Sequence, residues 1–204
     1  MPDLLGDFTY TWPYYAAAII GYLLGSVPFG LVVTKLAGFG DIRNIGSGNI
    51  GTTNVLRTGR KDLAALTLLL DGGKGAAAAW VGSNFYGPDI AVLAGGGAFL
   101  GHLFPVWLKF KGGKGMATFL GVLLAIAWPV GIAGCVTWLF TAAFTRYSSF
   151  SALNAAIHAP LWAYFIADQQ IATLAAFMTV LIFLRHHGNI RRLLKGEEPA
   201  IGKS

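Results

Sequence analysis

The chain has 204 residues, of which 55% are hydrophobic and only 12% charged, against roughly 25% charged residues in an ordinary soluble domain. That balance excludes water as the main solvent, and the length suits one compact helical domain spanning 1–204. A formal net charge of +6 invites a nucleic-acid reading, but the basic residues cluster beside apolar segments rather than along a soluble face, so nucleic acid is not expected as a partner and anionic substrates or lipid head groups fit better.

Asp3 and Asp7 make the N-terminus acidic, without the basic start and cleavage site of a signal peptide. The first apolar run, about residues 14–36, is therefore expected to be a permanent span, with Trp12, Tyr14 and Tyr15 at one interface and Lys35 at the other. A glycine-rich loop follows over 37–61. An apolar hairpin, 63–84 and 90–108, turns at Phe85-Tyr86-Gly87-Pro88-Asp89. The 29 residues of 116–144 are too many for one comfortable span and carry Trp128-Pro129 in the middle, which predicts two short helices. Two more are expected over 150–167 and 171–184, separated at Asp168-Gln169-Gln170. Cys135 lies in an apolar run without a partner and reads as packing. The expectation is an all-α, polytopic membrane bundle of seven spans. Asp3, Asp7, Asp89 and Asp168 face one side, and every cation except Lys74 faces the other. The excess of Lys and Arg on that side puts the N-terminus outside and the C-terminus in the cytoplasm. A five-span version keeps the same end points.

Three segments on the basic side combine glycine or hydroxyl residues with cations. The first is Gly46-Ser47-Gly48-Asn49-Ile50-Gly51-Thr52-Thr53-Asn54 followed by Arg57. Its glycines let backbone N–H groups turn inward around an anion, its hydroxyls add donors, and Arg57 can fork two bonds onto one phosphate. Gly46-x-Gly48-x-x-Gly51 matches a dinucleotide fingerprint, but no βαβ unit surrounds it. The second, Gly112-Gly113-Lys114-Gly115, opens directly into an apolar helix, whose N-terminus favours negative charge. It is not a Walker A motif, because no Ser or Thr follows Lys114. The third is Arg185-His186-His187-Gly188-Asn189, with a basic continuation to Glu198. A His there can exchange a proton or hydrogen-bond a phosphate oxygen, while adjacent His residues without a neighbouring carboxylate lack metal-ligand spacing, so no metal is expected. Asp71-Gly72-Gly73-Lys74-Gly75 falls inside an apolar run and repeats the Gly-Gly-Lys-Gly order. Asp71 can neutralise Lys74 at i, i+3, either as a structural ion pair or as an edge of the site. His102 is expected to serve packing or a kink.

Taken together, Gly25-Ser26-x-Pro28-x-Gly30, Ser47-Gly48-Asn49 with Thr52, Asn54 and Arg57, Gly112 to Gly115, and the His186, Asn189, Arg192, Glu198 tail resemble the bacterial acyl-phosphate:glycerol-3-phosphate acyltransferase family. The resemblance implies a fatty acyl phosphate as donor, glycerol 3-phosphate as acceptor and lysophosphatidic acid as product, without a cofactor, at the bacterial inner membrane with the site on the cytoplasmic side. It further implies roles for Ser47 and Arg57 in the first loop, phosphate binding by Gly112, Gly113, Lys114 and Gly115, support from His186 or His187 with Asn189, and a structural task for Glu198. Consistently, no His in the chain has Asp five residues later, so the His-x-x-x-x-Asp machinery of other glycerolipid acyltransferases is missing.

These residues support direct transfer. Two unit charges about 4 Å apart repel by about 1 kcal/mol in water and about 4 at an effective dielectric near 20, so converging Arg57, Lys114 and backbone N–H groups is what would let two phosphates approach. The hydroxyl proton goes either to the departing phosphate or to a His. The rival reading is a transporter for phosphorylated solutes, which requires donors lining a path from both sides. The small residues over 76–79 and 95–98 fit either close helix packing or a groove for the fatty chain.

Overall fold

The structure is a computed structural model and describes residues 6–202. Asp3 therefore lies outside the described residues. Regular structure among them is helical: α1 Phe8–Gly25, α2 Phe29–Leu36, α3 Thr52–Val55, α4 Lys61–Tyr86, α5 Pro88–Leu103, α6 Met116–Ile126, α7 Trp128–Thr145, α8 Ser148–Ile166, α9 Gln169–Arg185 and α10 His187–Lys195. Three segments are long and apolar enough to cross a membrane, 8–36, 88–108 and 128–145, and α9 with α10 makes a fourth if that pair, bent by 62°, is one span.

The first run begins six residues earlier than the sequence suggests, because the Asp7 carboxylate accepts from the Thr9 N–H at 2.9 Å and caps α1. It is also interrupted. Pro28 has no N–H to continue the ladder, and the chain leaves helical geometry at Val27 and Pro28 before α2 resumes. The 116–144 run divides at Ala127, whose φ of −150° breaks the helix just ahead of Trp128-Pro129. Asp168 caps α9 through its bond from the Ile171 N–H at 2.9 Å.

The bundle centre is dry and tight. Phe99, Leu103, Phe119, Val122, Leu123, Met178 and Ile182 are fully buried where α5, α6 and α9 meet. Glycines bring α1 onto α5 backbone to backbone: a Cβ on Gly97 would stand 2.3 Å from the Ala18 carbonyl oxygen, and one on Gly101 2.1 Å from that of Tyr22. Close packing is therefore the task of residues 95–98. Ala76 and Ala77 instead line an apolar groove with Trp80, Leu124 and Ala125. Large apolar side chains such as Ile20, Leu69, Phe140, Phe144 and Phe165 face outward, as a lipid-facing surface demands.

Helix lengths set the depth of one end. With 26 residues α4 extends about 39 Å, while α5 with 16 residues extends about 24 Å. The two pack side by side from the turn at Gly87, so α5 stops about 15 Å short of the α4 start. The loop after α5 consequently meets α4 near Asp71, ten residues inside the helix.

Candidate functional site

The first loop is organised by a buried asparagine. Asn54 donates to the Ile42 carbonyl at 2.9 Å, and its Oδ1 accepts from the Ser47 N–H at 3.2 Å and the Ser47 hydroxyl at 3.4 Å. Ile42 is wholly buried and anchors this arrangement. Asn49 closes a smaller turn by accepting from the Gly51 N–H. Gly46 has φ +54°, and a Cβ there would stand 2.2 Å from Nη1 of Arg57, so glycine both permits the turn and leaves room for the guanidinium to cross it. Thr52 Oγ1 is buried without a hydrogen-bond partner among the described residues.

The second loop spends part of its glycine backbone on its own placement. The Gly112 and Gly113 N–H groups donate to the carbonyls of Leu103 and His102 at 3.1 and 3.0 Å. Arg185 holds the opposite face, donating through Nη2 to the Gly112 carbonyl at 2.7 Å and through Nε to that of Gly113 at 3.1 Å. Those two amides are thus engaged, contrary to a picture in which every glycine N–H faces an anion. Among the described residues, the first-turn amides of α6 at Met116, Ala117 and Thr118 make no backbone hydrogen bond, as is usual at a helix N-terminus. Gly115, with φ +87°, turns the chain into that helix.

The third segment closes over the second. The Lys114 ammonium donates to Asn189 Oδ1 at 2.6 Å. Asn189 in turn donates to Glu198 Oε1 at 2.5 Å, which also accepts from the Ser149 hydroxyl at 2.6 Å, while Oε2 accepts from Arg192 Nε at 2.7 Å. Ile201 donates to the Arg146 carbonyl and ties the C-terminal strap to the α7–α8 turn. Across the opening, the Thr53 and Ser148 hydroxyls meet at 3.1 Å.

Charge converges here. Burial lowers Lys114 to about 8; Glu198 opposes that, and Arg192, Arg57 and Arg185 add to it, so all three guanidiniums lie within electrostatic reach of one ammonium. Burial pushes Glu198 up, but the bonds from Ser149, Asn189 and Arg192 outweigh it and leave the carboxylate below its usual value. His186, buried in the bend beyond α9, is lowered to about 4 by burial and by Lys114. Its Nδ1 lies 2.8 Å from the Ile182 carbonyl; a carbonyl only accepts, so the proton sits on Nδ1 and Nε2 is a bare acceptor. His187 is exposed and its Nδ1 bonds the Leu184 carbonyl. Of the two histidines, His186 is the one inside the charged cluster.

Ser47, Arg57, Lys114, His186 and Asn189 therefore gather at one end of the bundle. The sequence reading missed Ser148, Ser149 and the clamping role of Arg185. Ser149 follows closely on Arg146, a turn assigned to the basic side, so the signal for that end of α8 was present. Asp71 and Lys74 form an ion pair at 2.8 Å, both buried, with His102 beside them.

The chain is similar in sequence and fold to proteins of known description. A family profile described as glycerol-3-phosphate acyltransferase matches residues 15–196. A glycerol-3-phosphate acyltransferase of Caulobacter vibrioides is 62% identical over 190 residues, covering 92% of this chain and 87% of the relative. One from Cereibacter sphaeroides is 58% identical over 185 residues, covering 91% and 88%. The crystal structure of PlsY (YgiH), an integral membrane glycerol 3-phosphate acyltransferase, in its glycerol 3-phosphate form is 38% identical with a TM-score of 0.88, covering 93% of this chain and 96% of that one. A lysophosphatidic acid form of the same protein superposes with a TM-score of 0.86 at 37% identity, covering 93% and 95%.

Proposed function

The chain belongs to the glycerol-3-phosphate acyltransferase family, and on that premise we propose that its donor is a fatty acyl phosphate and that Arg57, Lys114 and the α6 N-terminus hold the two phosphates side by side. It is an integral membrane acyltransferase that acylates glycerol 3-phosphate to lysophosphatidic acid. Membership in an enzyme family removes the ground for the transporter reading. The observation that carries the proposal is the meeting of three separated stretches at Lys114: Asn189 accepts from its ammonium, Arg185 of the same C-terminal stretch clamps the carbonyls of Gly112 and Gly113, and Arg57 of the first loop lies within electrostatic reach.

The primary hydroxyl of glycerol 3-phosphate attacks the acyl carbonyl carbon. A C–O bond forms, the bond from that carbon to the phosphate oxygen breaks, and inorganic phosphate leaves. Charge accumulates on the carbonyl oxygen and the departing phosphate, where Lys114, Arg57 and the α6 amides stabilise it. Gly48, Asn49, Thr52, Thr53, Gly112, Gly113 and Gly115 shape the cradle, and Ser47 and Asn54 fix the first loop. His186, lowered to about 4, is a weak base at neutral pH, so the leaving phosphate takes the hydroxyl proton and His186 Nε2 accepts a hydrogen bond. The fatty chain lies along the groove of Ala76, Ala77, Trp80, Leu124 and Ala125, where each buried methylene contributes about 0.8 kcal/mol.

The chain threads the inner membrane as seven segments, with α6 a short one of about 16 Å. Its N-terminus lies outside, and the site opens to the cytoplasm. A single chain holds all the charged groups named, so a monomer suffices. Purified protein given labelled glycerol 3-phosphate and synthetic acyl phosphate, with no CoA or thioester present, should produce lysophosphatidic acid. No product would end the acyl-phosphate reading. H186Q should lose about tenfold or less in kcat; a near-total loss with KM unchanged would make His186 the base.

A further inference from the structure

The mechanism above leaves three buried ionisable groups unused. Asp71 on α4, Lys74 one turn later and His102 at the end of α5 are 2%, 4% and 4% exposed. Asp71 Oδ1 lies 2.8 Å from Lys74 Nζ and 3.5 Å from His102 Nδ1. Each member is also fixed to an element of the site. Lys74 donates at 2.8 Å to the Val27 carbonyl, the oxygen exposed by the Pro28 break between α1 and α2. The Asp71 carbonyl accepts from Thr118 at 2.9 Å, in the first turn of α6. The His102 carbonyl holds the Gly113 N–H, and its ring lies against the same glycine, where an added Cβ would stand 2.1 Å from Nε2. The loop that carries Lys114 thus rests on His102, whose Nδ1 faces Asp71 Oδ1 across 3.5 Å as a close polar contact, with no hydrogen bond made by either atom among the described residues.

We propose that Asp71, Lys74 and His102 form a buried positioning unit that sets the height and tilt of the Gly112–Gly115 loop, and with it the position of Lys114 and the α6 N-terminus. This rests on the acyl-transfer reading of the site. Buried charge is costly and is retained where geometry demands it, and displacement of a charged group by about 1 Å lowers turnover by about a hundredfold. None of the three groups touches substrate; they act through the loop.

The test compares H102L with H102N. Leucine is of similar bulk without a polar atom, whereas the asparagine amide keeps a donor near the place of Nδ1. H102L should lower kcat at least tenfold while KM for glycerol 3-phosphate stays within about threefold, and H102N should recover most of that loss. The double variant D71N/H102L should be no slower than the slower single, since both changes disable one unit. Amide hydrogen exchange supplies a readout independent of chemistry: Gly112 and Gly113 should exchange at least tenfold faster in H102L, with α8 unchanged. Equal kcat for H102L and H102N, additive losses, or unaltered exchange at the loop would each overturn the proposal. Absence of turnover in the unaltered protein would instead count against the acyl-phosphate reading, and the exchange comparison would still decide this one.

Discussion

Lys114 works in a place that resists its own charge. Burial and three neighbouring guanidiniums bring it to about 8, so in the free enzyme the ammonium is lost as pH rises through that value. Two phosphates bound beside it, as proposed, would favour the charged form and raise it again. The alkaline limb of kcat/KM, which reports the free enzyme, should therefore fall near pH 8, by about tenfold per unit above it, while the limb of kcat lies higher. K114R keeps its charge at every accessible pH, and its kcat/KM should lack that limb. A wild-type profile flat to about pH 9.5 would show that Lys114 keeps its proton through that range in the free enzyme. Glu198 poses the complementary case. Its two oxygens take bonds from Ser149, Asn189 and Arg192, and hydrogen bonds to charged groups contribute about 1.5–3 kcal/mol each. E198Q should lose about 2 kcal/mol in thermal or denaturant unfolding and free the strap that ends at Ile201; an unaltered midpoint would mean the carboxylate does not hold the strap. That Ser47, Arg57, Lys114 and Asn189 would gather at one end was legible at this scale, since they stood out as polar groups beside apolar runs. What each atom does was not. Gly112 and Gly113 look in sequence like anion-binding amides, yet their N–H groups meet the end of α5, a partner no local pattern can announce.

Between helices the decisive contacts are made by the absence of side chains. On α5, Gly97 and Gly101 sit one turn apart, at the carbonyls of Ala18 and Tyr22, and Tyr22 adds a bond from its hydroxyl to the Phe104 carbonyl at 2.7 Å. G101A would force α1 away from α5, and overpacking of this kind costs about 1–3 kcal/mol. G73A is the control, because nothing lies within 4 Å of a Cβ there and alanine favours a helix by up to about 1 kcal/mol. Thermal unfolding in detergent should thus separate the two variants in opposite directions, and equal midpoints would show that α1 yields freely. Small-residue spacing announced that some helices approach closely, but hydropathy alone could not say which. The breaks divide differently: Trp128-Pro129 was read as one in the sequence and the last apolar run was ended at 184, close to the α9–α10 bend of 62°, whereas the interruption at Pro28 lies inside a run that hydropathy reads as continuous.

On the scale of the whole molecule, unequal helix lengths explain where the charges lie. Because α5 is ten residues shorter than α4, the glycine loop sits about 15 Å below the α4 start, and Asp71 and Lys74, which look misplaced in a hydropathy reading, stand level with it. A substrate whose tail stays in the bilayer can thus present its phosphate at that depth. The two ends of the bundle are chemically distinct. Thr53 meets Ser148, Lys114 meets Asn189 and Ile201 meets Arg146 at one end, and Gln170 donates to Asp89 at the other. If the positive end faces the cytoplasm, single cysteines in a C135A background should report it. K195C, just beyond the clustered charges and exposed, should react with a membrane-impermeant maleimide only in inverted vesicles, and Y86C, 70% exposed at the opposite end, only in right-side-out ones. Labelling of both from one side would break the two-ended arrangement, and the reverse pattern would turn the site outward, away from cytoplasmic glycerol 3-phosphate.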